Sequence, residues 1–220
     1  MSPKVLFILL QPLRYTYPQP SRFLNLSKNL NDRGITSKII AIRSRENLNQ
    51  LDTDFVEEKY KLPFIRKIYL IFSLCKKLIS NRSAEFFYFR ENFYSIIFIL
   101  LSKILGSKLI YEHHGFEYKT QTLKEKHFRS KLTKSLEYLS LEKSNIIITV
   151  SEELRLGELS DLSNKKKYVL PNGVDISKFT NRRSILSASK LHFIVFTGKF
   201  FSGAYSEKDL LEFPKYCKAN

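Results

Sequence analysis

Short apolar runs of strand length recur along this chain, and each is followed by a stretch with helical spacing. That alternation constrains the fold more than any other feature. Residues 4–10, continuously apolar after Lys4, suit a parallel strand covered on both faces better than an exposed edge. Ser21 then offers an N-cap, Phe23, Leu26 and Leu30 follow at helical spacing, and Gly34 supplies a left-handed stop. Residues 35–42 return to strand character, closing a βαβ unit whose crossover must be right-handed. The same rhythm predicts helices over 65–79 and 92–105, strands over 85–89 and 108–112, and a charged helical stretch over 122–143. A strand over 145–150, a short helix opening at Ser151 and a strand over 167–170 complete it. The class expected is α/β, a doubly wound parallel sheet, in which ligands bind beyond the carboxyl ends of the strands.

At 220 residues the chain exceeds one α/β unit and falls short of two. The reading is a first domain over 1–179, a polar linker over 180–189, and residues 190–220 as the opening strand and helix of an incomplete second domain. Hydrophobic residues at 43% supply a core and exclude a disordered or collagen-like chain. A net charge of +16, spread over both halves, attracts phosphates of any kind. Lys outnumbers Arg 25 to 12, so codon bias explains the surplus equally well. Cys75 and Cys217 form no metal spacing and no disulfide framework, which favours a reducing compartment, the cytoplasm by default. The apolar stretches at 68–75 and 94–101 are too short to span a bilayer and read as buried helices. The first apolar run is too short for a signal-peptide core. Peripheral contact of the basic, aromatic-rich surface with an anionic membrane at its inner face is retained as a partner class.

Four stretches at strand ends carry the chemistry. Glu112, His113, His114 and Gly115 follow an apolar strand; a His there can exchange hydrogen bonds with sugar hydroxyls or phosphate, and Gly permits close backbone approach. On their own these histidines could equally be capping groups. Ser151 and Glu152 read as an N-cap and its acidic first turn, which structure alone would explain. Asn172, Gly173 and Asp175 lie in a Pro-Asn-Gly-Val-Asp stretch that, taken alone, is a tight turn. Lys199 stands behind Gly198 at the end of the last strand, where a phosphate could bind and a solvated Lys is equally compatible.

Taken together, in this order and spacing, the four stretches resemble the family 4 retaining glycosyltransferases, most specifically at residues 171–179. The resemblance implies two Rossmann-like domains of GT-B type, the first binding the acceptor and the second a nucleotide-sugar donor. It implies transfer of a hexosyl group from a nucleotide-diphosphate sugar to an acceptor hydroxyl, with retention. His114 matches the family's cleft His, the candidate catalytic residue, and Gly115 the residue after it. Ser151 and Glu152 match the serine-containing turn, while Asn172, Gly173 and Asp175 match the signature at the domain junction. Lys199 falls where the family has Arg against the donor diphosphate, a cation without the bidentate fork. No cofactor or metal is implied, the nucleotide sugar being substrate; Asp52 and Asp54 flank Thr53 in what reads as a solvated polar connection. Implied partners are the nucleotide sugar and a glycan or lipid-linked acceptor, with polysaccharide or lipopolysaccharide assembly in the cell envelope as the usual setting.

Three features depart from the family. The loop over 11–20 carries Pro12, Pro18 and Pro20 in place of glycines, the segment after Lys199 lacks the family's further Lys, and the paired glutamates of the donor site are not found. The expectation is a truncated acceptor half, inactive alone, or a subunit served by a separately encoded C-terminal domain. The competing class is a noncatalytic basic binding protein for anionic membrane or nucleic acid. The run Phe86, Phe87, Tyr88 and Phe89 suits a buried strand rather than a base-stacking surface, and no RNA-binding signature is present, so nucleic acid is not expected as a partner.

Overall fold

The computed structural model describes residues 3–12, 18–42, 53–56, 63–90, 94–119 and 127–173. Seven strands form one sheet: β1 (Val5–Pro12), β2 (Ser37–Ile42), β3 (Thr53–Val56), β4 (Phe86–Arg90), β5 (Lys108–His113), β6 (Ile146–Thr149) and β7 (Lys166–Val169). Their order across the sheet is β3-β2-β1-β4-β5-β6-β7, and every pairing is parallel. The chain order reverses at β1, so the crevice of a doubly wound sheet lies beyond the carboxyl ends of β1 and β4.

Helix α1 (Pro18–Asp32) covers one face, and α2 (Pro63–Ser80), α3 (Ser95–Leu105) and α4 (His127–Lys143) belong to the other. Strand residues alternate between two cores, as period-two geometry requires. Phe7, Phe23, Ile39 and Tyr88 pack on the α1 side, and Phe87, Phe89, Phe98, Leu109 and Tyr111 pack on the other. Gly106 closes α3 at φ 73°, its N–H returning to the Ser102 carbonyl.

The structure corrects three expectations. Residues 53–56 are an edge strand, and Asp54 on it is held by Lys38 at 3.3 Å, Lys77 at 3.2 Å and Asn81 at 3.0 Å rather than solvated. Those cations hide the strand from a reading of hydropathy alone. Helix α1 starts three residues before Ser21, because Pro18 and Pro20 preset the first turn, where no amide hydrogen is needed. The two apolar stretches are not buried throughout: α2 buries Leu70, Leu74 and Leu78 but exposes Ile65, Ile68, Phe72 and Ile79. Likewise α3 exposes Ile96, Leu100 and Ile104, since an outer-layer helix has only one face against the sheet. The linker over 180–189 and the strand and helix read over 190–220 lie outside the described residues, as do Cys217, Asp175 and Lys199.

Candidate functional site

Glu112 and His113 end β5, and their alternation sends them to opposite faces of the sheet. Glu112 meets α1-side groups, while the His113 ring lies 4.8 Å from that of Phe116 on the other side. The two neighbours therefore belong to different clusters.

Glu112 is fully buried, and three donors converge on it. Arg22, in the first turns of α1, donates Nε–H to Oε1 at 3.0 Å; Tyr88 of β4 donates its hydroxyl to Oε2; His114 meets Oε1 through Nε2. Burial pushes the Glu112 carboxyl up, but the His114 and Tyr88 hydrogen bonds and the Arg22 charge outweigh it and hold the group below the ordinary carboxylate range. Glu112 is thus an acceptor only. A carboxylate cannot donate, so His114 Nε2 is the donor of this pair. Burial, then the Glu112 charge, pushes the Tyr88 phenol far above its ordinary value, which keeps it a donor.

Both terminal nitrogens of Arg22 reach the chain beyond β7. One terminal nitrogen donates to the Leu170 carbonyl at 2.7 Å; the other donates to the Pro171 carbonyl at 2.9 Å and to Asn172 Oδ1 at 3.1 Å. One guanidinium therefore joins the tip of β5 to the exit of β7, bringing Glu112, His114 and Asn172 together. Sequence reasoning missed Arg22 and the role of Tyr88. The available signal was position: the N-terminus of the first crossover helix lies at the crevice of a doubly wound sheet.

On the opposite side, His113 Nε2 stands 3.3 Å from Glu158 Oε2, and Lys119 holds Glu158 Oε1 at 2.7 Å. Burial pushes the His113 imidazole down against the pull of Glu158, so the ring is neutral at pH 7. Its Nδ1 is buried without a hydrogen-bond partner among the described residues. Gly115 takes φ 107°, and a Cβ there would find only ordinary contacts at 4.0 Å, so backbone conformation rather than room for a ligand requires it.

Ser151 and Glu152 follow β6, which lies between β5 and β7, and their side-chain hydrogen bonds are local. Ser151 Oγ accepts from the Leu154 amide at 3.3 Å, capping the turn that runs into a short π-helix (Leu154–Glu158), and Glu152 pairs with Arg155 at 2.5 Å. Gly173 is exposed and outside the left-handed region, with open space around its Cα. Asp175 and Lys199 lie outside the described residues. Among those residues, no group of three or more His, Cys, Asp or Glu is placed to hold a metal ion.

Solved structures share this fold at low identity. HepE of Anabaena, solved with UDP and glucose, is 14% identical with a TM-score of 0.52, covering 79% of this chain and 45% of its own. The UDP-GlcNAc 2-epimerase of Methanocaldococcus jannaschii is 14% identical with a TM-score of 0.53, covering 76% and 45%. Sucrose-phosphate synthase of Thermosynechococcus elongatus is 11% identical with a TM-score of 0.50, covering 77% of this chain and 90% of that one. The chain spans less than half the length of the first two. No curated protein sequence matches it. The model of Glycosyltransferase Family 4 matches residues 21–178, from the residue beside Arg22 to beyond the Asn172 junction. The chain belongs to glycosyltransferase family 4.

Proposed function

We propose that this chain acts in retaining hexosyl transfer from a nucleotide-diphosphate sugar to a hydroxyl of a glycan or lipid-linked acceptor, and that the described sheet supplies the acceptor side. The observation that carries the proposal is the Arg22–Glu112–His114 arrangement at the rim of the sheet. A base oriented by a buried carboxylate, itself fixed by a guanidinium, is the usual way to present one imidazole nitrogen in one tautomer. His114 Nδ1 accepts the hydrogen of a sugar hydroxyl. The acceptor oxygen then bonds to the anomeric carbon on the face from which the diphosphate leaves, as the carbon–oxygen bond to the diphosphate breaks with its electron pair going to the diphosphate oxygen and the hydroxyl proton passing to His114 Nδ1.

Four of the five Arg22 N–H groups are engaged by Glu112 and three further oxygens, so neutralising the departing diphosphate falls to other groups. Lys199 is the candidate within this chain, and a separately encoded donor domain is the candidate outside it. Robust turnover by this chain alone is therefore not expected. The setting proposed is cytoplasmic, in assembly of a cell-envelope polysaccharide. Two readouts test the reading: NMR shifts of the His114 ring on titration with hexosides, and product formation from a panel of nucleotide sugars. His114→Gln should abolish the hexoside shifts seen elsewhere at the site and lower any turnover by roughly 100-fold. Hexoside binding and turnover that survive unchanged in that variant would overturn the assignment, and an inverted product anomer would overturn retention.

A further inference from the structure

Helices α2 and α3 lie side by side in the layer opposite α1, both feeding the larger core. Their outward faces are apolar. On α2, Ile65, Ile68, Phe72 and Ile79 recur at helical spacing, and on α3 so do Ile96, Leu100 and Ile104, with Phe72 at 69% and Ile104 at 77% exposure. An outer-layer helix ordinarily turns polar residues to water, so two adjacent apolar rows mark an interaction surface. The charged residues on the two helices themselves have one sign. Lys67, Lys76 and Lys103 are exposed beside these rows, and neither helix contains an Asp or Glu. Between α2 and β3 lies an open groove of about 450 Å³ lined by Phe55, Tyr69, Phe72, Lys76 and Lys77. Asp54 on the neighbouring edge strand is matched by Lys38 and Lys77.

We propose that the α2–α3 face is a docking surface for an anionic lipid bilayer. Charge complementarity selects this occupant: apolar side chains interleaved with lysines, without carboxylates on either helix, suit a headgroup layer that is negative above and apolar below. No helix of the described residues is long and apolar enough to cross a membrane, so the contact lies along the interface. This inference does not rest on the sugar-transfer reading, and each can fail without the other.

Co-sedimentation of the full chain with vesicles tests it. Binding is expected to phosphatidylglycerol–phosphatidylcholine vesicles, to weaken with added salt, and to be far weaker with phosphatidylcholine alone. Phe72→Ser with Ile104→Ser, and separately Lys76→Glu with Lys103→Glu, should each lower partitioning by roughly tenfold or more. Lys28→Glu on α1 with Lys166→Glu on β7 serves as a control of equal charge change and should lower it less. All substituted residues are exposed, and an unchanged circular dichroism spectrum confirms that the variants fold. Equal partitioning of the wild type and both double variants overturns the proposal, as does equal binding to neutral vesicles. Light scattering that shows a dimer lost in Phe72→Ser, with vesicle binding retained, overturns it in favour of a second copy as occupant.

Discussion

Arg22 is nine-tenths covered and is the main cation facing a buried carboxylate, so its loss strands Glu112 as well as freeing three oxygens of residues 170–172. Removing one partner of such a pair costs about 3–5 kcal/mol, and Arg22→Ala should lower unfolding free energy by that order in urea denaturation. Arg22→Lys restores only part of it, because an ammonium has no planar fork to span both strand ends; a midpoint equal to wild type would contradict the clasp. Tyr88→Phe removes one hydrogen bond to a charged group and should cost about 1.5–3 kcal/mol. His114, Glu112 and Asn172 were legible because chemistry-bearing residues at strand tips stand out against apolar runs. Arg22 was not, since helical spacing marks apolar positions and is silent about cations between them. Tyr88 was read for its ring within an aromatic run, which is correct for its packing against Phe7 and Phe23 and says nothing of its hydroxyl.

Among the elements, the turn after β5 is the one held by backbone conformation. Gly115→Ala should cost about 1–3 kcal/mol from its φ of 107°, without a steric clash, since a Cβ would meet nothing nearer than 4.0 Å. Gly157→Ala, where φ is not positive and space is open, serves as the neutral comparison in thermal unfolding. Six strands of the sheet were legible, five because buried parallel strands write continuous apolar runs, and the half-exposed edge strand β7 through the repeated strand–helix rhythm alone. β3 was not: as an edge strand of four residues, Thr53–Val56, it has one neighbour, and Asp54 is satisfied by side chains the sequence places far away. The helices were legible in position but not in exposure. Apolar residues on both sides of α2 and α3 look alike in sequence, and only the sheet decides which side it covers.

Across the whole molecule, acid acts on both faces of the sheet. Burial holds His113 below its ordinary value of 6.5, so as pH falls below about 6.5 the unfolded chain takes up its proton first and stability declines. Above that value the contribution is fully present. Glu112, Glu158 and Asp54 are also held below their ordinary values, adding a second decline below about pH 4.5. Urea midpoints measured across pH should show both limbs, and His113→Gln should flatten the first; a midpoint constant between pH 7 and pH 5 would contradict the burial of that imidazole. The sheet architecture was legible as a whole because every strand-helix unit repeats one pattern, whereas the link between distant tips depends on three-dimensional proximity. The split of Glu112 and His113 between the two layers also gives β5 a parity. Losing one residue within Lys108–Tyr111 would hand each layer the other's ionisable group, a carboxylate among Phe116 and its aromatic neighbours and an imidazole facing a guanidinium, so even-numbered changes in strand length are the gentler ones.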